Sequence, residues 1–324
     1  MKSKAEQSIR RIADIKYRLI LEGTVIGILA GLLISMFRLI LAKAESFRAT
    51  ALNGLLETGS VGTALTATGG LLLCFFCAWI CIKTEPMCAG SGIPQVAGEL
   101  KGKIFQNWWK VIITKLAGAS ATIFAGLSLG REGPSIQLGA MVGKGFSSVK
   151  DNLATEEKLL MTCGAVAGLS SAFSAPLAGV IFALEELHKN FSIDILLGAM
   201  ASSIAADFVA YYIFGLNPVF DLKLTEALPL KFYWTILILG IFLGVFGTLY
   251  GKVVELFQNA YGKIGSKAGR LAVPFALLVP LALFYPHVLG GGYDLVTEIA
   301  EGKFLLGAAA LLLVVKFGFS ILSF

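Results

Sequence analysis

Long runs of apolar residues recur along the chain, at about 19–42, 62–83, 107–127, 158–187, 193–214, 232–256, 270–285 and 304–324. Most reach or approach the roughly 20 residues that an α-helix needs to cross a ~30 Å hydrocarbon core. The pattern therefore predicts an all-α polytopic membrane protein. Several runs are broken by glycine and proline. Pro94, Pro134 and Pro176 each fall where a helix would begin, a position at which the missing N–H costs nothing. The small-residue string Gly164-Ala165-Val166-Ala167-Gly168 reads as a surface for close helix packing.

The polar remainder sharpens this picture. Residues 1–16 read as a short amphipathic helix, and Lys2, Lys4, Arg10, Arg11, Lys16 and Arg18 precede the first apolar run. A basic start of this kind predicts a cytoplasmic N-terminus. The run from Leu19 to Ala42 is too long for the apolar region of a cleaved signal peptide. Hydrophobic residues make up 56% of the chain and charged residues 15%, against roughly 25% charged in a soluble domain. The formal net charge of +6 then reads as loop topology. No basic stripe interleaved with aromatics suggests a nucleic-acid partner.

Cys74, Cys77 and Cys81 share one face of an apolar helix and read as packing residues. Neither they nor His188 and His287 have a metal-ligand spacing, so no metal and no cofactor is expected.

Three short motifs carry candidate chemistry. In Gly90-Ser91-Gly92-Ile93-Pro94 a preferred N-cap residue and an early proline open a helix too short to span a bilayer. A half-helix ending inside the membrane directs free N–H groups and the positive end of its dipole at one point, an anion site without a full positive charge. Gly130-Arg131-Glu132-Gly133-Pro134 is a second such start and carries a carboxylate. Charged, Glu132 would compete with an anion for that site; protonated, it would swing away. An interfacial carboxylate paired with Arg131 is the plainer reading. The third string, Ala175-Pro176-Leu177-Ala178-Gly179, leads to Glu185-Glu186-Leu187-His188-Lys189, which on spacing alone reads as a solvated helix end.

An internal repeat links distant segments. Gly90 to Val96 can be laid on Gly290 to Val296 at an offset of 200; Gly102-Lys103 then meets Gly302-Lys303, and after one gap Lys115 meets Lys316. Repeated, interrupted helices are the sequence signature of transporters with a midplane site. The repeat places the counterpart of Arg131 beyond Phe324, so the expectation is a second half that is incomplete.

Taken together, Gly90-Ser91-Gly92-Ile93-Pro94, Gly130-Arg131-Glu132-Gly133-Pro134 and Ala172 to Gly179 with Glu185-Glu186 resemble the CLC family of chloride channels and proton-coupled chloride antiporters. The resemblance implies an inverted-repeat bundle of tilted, broken helices, with a first half at 17–222 and a second at 223–324. It implies an anion path contacted by Ser91, Gly92, Ile93 and Gly133, with Glu132 as gate and proton carrier and Glu186 as inner proton-transfer residue. It implies chloride, protons and the lipid bilayer as partners, a homodimer, and a multi-pass place in the cell membrane. Glutamate at 186 favours Cl⁻/H⁺ antiport over a passive voltage- or proton-gated chloride channel, and Ser91 favours chloride over nitrate. Fluoride export is a further option within the fold. The chain departs from the family pattern at Gln95, where a glutamate is common, and it lacks the family's later Gly-x-Phe-x-Pro motif and anion-contacting tyrosine. An intramembrane serine hydrolase built on Ser91 and a histidine is the remote alternative; the protein is not expected to be an enzyme.

Overall fold

The computed structural model describes the backbone of residues 4–58, 61–150, 152–189, 192–216 and 229–323, with side chains from Tyr17 onward save 52, 53, 55–58, 61, 63, 64 and 194. The amphipathic face of residues 1–16 and the boundary between 222 and 223 lie outside what is described. Among the described residues the structure is helical, with no strand.

The first helix, α1 (Lys4–Thr58), has no backbone break at residue 16. It buries Ile26, Ala30, Ile34, Phe37 and Leu41, a stripe repeating every three or four residues. Its other face presents Val25, Leu29, Leu32, Met36 and Leu39 outward. An outward face that stays apolar suits lipid rather than water. Among the described residues, six helices are long and apolar enough to cross a membrane.

The chain continues through α2 (Val61–Thr84), a 3₁₀ turn at Pro86–Cys88, the short α3 (Ile93–Leu100), α4 (Trp108–Ala125), α5 (Glu132–Val149) and α6 (Ala154–Phe173). The apolar run at 158–187 is not one helix. Ser174 adopts φ 53°, Pro176 starts α7 (Pro176–Phe182), and a π-helical turn, Ala183–His188, follows. The proline cannot give the N–H that would continue α6, so the chain turns there. α8 (Ile193–Phe214) packs back on α1.

Glycine sets how closely these helices approach. A Cβ on Gly23 would sit 2.8 Å from the Gly198 carbonyl oxygen, and one on Gly27 or Gly31 would run into Ser202 or Ala206. Spacing of four residues puts all three on one face of α1, against α8. Gly139 on α5 and Gly164 on α6 abut in the same way, each Cβ position overlapping the other's carbonyl. Where backbones touch like this, dispersion over the whole contact replaces the hydrophobic drive that lipid does not supply.

Next among the described residues is α9 (Tyr233–Gly262), which carries no charged residue before Lys252 and buries no residue against the rest of the described chain. α10 (Lys267–Phe284), a 3₁₀ turn at Pro286–Val288, α11 (Tyr293–Ala300) and α12 (Leu306–Ser323) follow. Phe75 on α2 meets Phe275 on α10 edge to face at 5.5 Å, in a cluster that includes Leu127, Leu278, Leu289, Leu295 and Phe319.

The repeat read from the sequence has a structural counterpart. The 3₁₀ turns at 86–88 and 286–288 and the short helices at 93–100 and 293–300 are 200 residues apart. Gly90 and Gly290 have φ of 77° and 75°, Gly92 and Gly292 have 106° and 87°, and Gly102 and Gly302 have 71° and 74°. Such backbone angles are open to glycine and strained for other residues.

Candidate functional site

The loop before α3 is shaped by two side chains that reach its carbonyls. Lys115 on α4 donates from Nζ to the oxygens of Cys88 (3.0 Å) and Gly90 (2.7 Å). Gln95 accepts from the Gly92 N–H at 3.0 Å and donates from Nε2 to the Ala89 oxygen at 2.7 Å. The amide at this departure from the family pattern does what a carboxylate could not, since it donates as well as accepts. With these carbonyls engaged, the first N–H groups of α3 remain without intrahelical partners.

α5 starts against this loop. A Cβ on Gly133 would run into the carbonyl and hydroxyl oxygens of Ser91, and one on Gly92 would lie 2.8 Å from the Gly133 oxygen. Only bare backbone at both positions allows two helix N-termini to meet this closely. Gln137, fully buried on α5, holds the arrangement: its Nε2 donates to the Met87 oxygen at 2.8 Å and to Gln106 Oε1 at 2.6 Å. Gln106 in turn donates to Glu99 Oε2 at 2.9 Å, and Glu99 pairs with Lys144. A buried polar network thus ties both ends of α3 to α5.

The two starts face a cavity of about 660 Å³ whose wall includes Gly90, Ser91, Ile93, Lys115, Glu132 and Gly133. Ser91, Ile93, Glu132 and Gly133 are therefore brought together. Gly92 is buried beneath the wall and supplies the turn rather than the lining. Glu186 is not on this wall; it lies exposed, with Glu185, on the π-helical turn after α7. The histidines are elsewhere too. His188 Nε2 lies 2.7 Å from Thr162 Oγ1, and His287 Nδ1 lies 3.0 Å from Glu298 Oε2. No group of three or more His, Cys, Asp or Glu among the described residues is placed to hold a metal.

Glu132 and Arg131 do not pair with each other. The guanidinium of Arg131 lies over the Tyr293 ring, 4.3 Å from its centroid, and the Tyr293 hydroxyl donates to Glu132 Oε1 at 2.7 Å. Tyr293 is the first residue of α11, at the position that matches Ile93 in the repeat. The sequence offered that alignment as its one signal, and nothing in it marked the tyrosine as a partner of Glu132. Gln137 had a weak signal as a lone amide in an apolar stretch. The second half is anchored near by: the Gly290 N–H donates to the Gly126 oxygen at 2.8 Å, and Lys316 on α12 donates to the oxygens of Val288 (2.8 Å) and Gly290 (2.6 Å). Lys316 thereby repeats the contacts of Lys115.

Crossing helices, broken helices whose N-termini meet at a shared cavity, and a twofold internal repeat define a multi-pass membrane protein with the repeated, broken-helix architecture seen in transporter folds. Residues 69–324 match the family of voltage gated chloride channels, and the chain belongs to that family. It is 30% identical over 314 residues to the H(+)/Cl(-) exchange transporter ClcA of Salmonella arizonae, covering 94% of this chain and 66% of the relative. The ClcA of Vibrio parahaemolyticus is 30% identical over 313 residues, with 92% and 66% covered. The chain thus spans just under two thirds of these curated relatives. Its fold is similar to that of a slow cyanobacterial Cl⁻/H⁺ antiporter, with a TM-score of 0.86, 25% identity, and 94% of this chain and 73% of the other covered. It also shares the fold of a CLC-type fluoride/proton antiporter, with a TM-score of 0.77, 21% identity, and 100% and 76% covered.

Proposed function

We propose that this chain carries out proton-coupled chloride antiport. The observation that carries the reading is the shared wall of one cavity, on which Ser91 and Glu132 lie at two abutting helix N-termini. Unpaired amides and the positive ends of two dipoles attract a halide, and Lys115 on the same wall is engaged with the Cys88 and Gly90 oxygens, which keeps it from clamping the anion. The Glu132 carboxylate is itself an anion and competes for the same amides. On taking up a proton it loses that attraction and leaves the amides to the anion, which couples proton uptake to anion movement. Ser91, Ile93 and Gly133 contact the anion in this reading, and Gly92 shapes the loop that presents them. Glu186, near the end of the π-helical turn, passes protons between the aqueous side and the cavity. The names of the ClcA relatives agree with this chemistry. The basic N-terminal segment supports a cell-membrane protein with its N-terminus in the cytoplasm, and the family resemblance supports a homodimer.

The test is flux from liposomes holding the full chain under a chloride gradient. We expect chloride efflux to drive protons uphill. We expect Glu132→Gln to keep chloride flux while ending proton movement and pH dependence. Chloride flux that moves no protons in the wild type would replace antiport with a passive channel. Absence of chloride flux would remove the proposal altogether.

A further inference from the structure

The same site contains a contact that the antiport reading does not use. Among the described residues, the Glu132 carboxylate accepts its hydrogen bond from the Tyr293 hydroxyl and none from the amides at the start of α5. The donor comes from the other half of the repeat, 161 residues along the chain. It is held there from both sides. Gly292, with φ 87°, turns the chain so that α11 begins with Tyr293, and Lys316 fixes the carbonyls of the preceding loop. The Arg131 guanidinium covers the ring at 4.3 Å.

We infer that Tyr293 is a positioning residue for transport: it offers the charged Glu132 a resting partner outside the anion pocket, so that an incoming anion meets free amides. The inference rests on the antiport reading of Glu132 and adds to it a second place for the carboxylate. The carboxylate divides its time between the N–H groups of α5 and the phenol. A hydrogen bond from a neutral donor to a charged acceptor is strong enough to set that division. The charged groups near it are Arg131, which caps α5, Arg38 on α1, whose guanidinium lies within electrostatic reach of Arg131, Tyr293 and Asp207 on α8, and Lys316 on α12 behind Gly292. Removing the hydroxyl takes a polar contact from Arg131 as well as from Glu132 but leaves the guanidinium on the ring, and it takes no hydrogen bond from Lys316, which keeps its Val288 and Gly290 oxygens.

Tyr293→Phe is the informative variant, because the ring stays over Arg131 and the helix start is unchanged. Without its resting partner the carboxylate returns to the amides and competes with chloride there. The apparent KM for chloride should rise about tenfold at pH 8, the weight of one charge-assisted hydrogen bond, with little change in maximal rate. The rise should shrink as the pH falls and carboxyl groups take up protons, since a neutral side chain is a poor competitor. It should vanish in a Glu132→Gln background, where no anionic competitor exists. A structural role alone would lower the maximal rate and persist in that background, and either of those results overturns the inference. So does an unchanged chloride KM at pH 8 in Tyr293→Phe, which leaves antiport standing. A wild-type chain without chloride flux removes the antiport reading and this inference with it.

Discussion

Replacing Lys144 with methionine tests whether the buried network under the site holds it together. The Lys144 and Glu99 side chains are 4% and 7% exposed. Lys144 also donates to the Gln106 oxygen at 2.6 Å and lies 3.7 Å from the centroid of the Phe105 ring. Methionine keeps the length and apolar stem and removes the charge. Glu99 is then a buried carboxylate with two donors left, the backbone N–H and Nε2 of Gln106. Breaking a buried pair from one side costs about 3–5 kcal/mol, and the surviving donors argue for about 3. At 1.4 kcal/mol per tenfold, that is about a hundredfold fall in the folding equilibrium constant. Reversible unfolding in mixed micelles of rising SDS content, followed by circular dichroism, reads it directly. Adding Glu99→Gln removes the orphaned charge and keeps an acceptor for Gln106, so the double variant should recover most of the loss. A single variant as stable as the wild type, or a double variant no better than the single, would refute the reasoning.

Other outcomes follow from the same contacts. Gly133→Ala forces its methyl into Ser91 and should push α3 and α5 apart at their N-termini; chloride affinity, read by calorimetry on purified protein, should fall by about tenfold or more if one charge-assisted contact is lost. Lys115→Met leaves the Cys88 and Gly90 oxygens without their donor at about 1–3 kcal/mol each and should weaken chloride binding directly. Lys316→Met removes the matching contacts in the second half, so its effect on chloride KM should depend on Glu132 and disappear in Glu132→Gln.

The fold was legible where it depends on period and punctuation. The apolar runs gave the helices, and Pro94, Pro134 and Pro176 each lie in the first turn of a helix. In the run at 158–187 only Pro176 marked the break, because α6 and α7 are both apolar; the turn at Ser174–Ala175 changes backbone angle, not hydrophobicity. Contacts made across long sequence separations were not legible. Glu99 meets Lys144 across 45 residues and Tyr293 meets Glu132 across 161, and no local pattern encodes either. Ionisable residues inside apolar helices were the available clue, since intramembrane charge is costly and usually paired. The clue marks that a partner exists without saying which.

The repeat explains why the two lysines matter more than their charge. Each donates to the same pair of carbonyls, two residues apart, in a 3₁₀-turn and glycine loop that recurs 200 residues later. A lysine facing the anion directly would bind it too well to release it. A lysine committed to carbonyl oxygens instead neutralises the negative ends of the loop's peptide dipoles, leaving their N–H ends to act on the anion. In the first half that loop presents Ser91, and in the second it presents Tyr293. Under the proposed antiport, the duplicated scaffold therefore serves two different side chains, one hydroxyl for the anion and one for the carboxylate that competes with it. The two copies diverge at several registers, Ser91 against Gly291 among them, and the one that bears on Glu132 is the helix start: Ile93 opens α3 where Tyr293 opens α11. A phenol reaches across the cavity rim to Glu132, and an isoleucine at that place offers no donor.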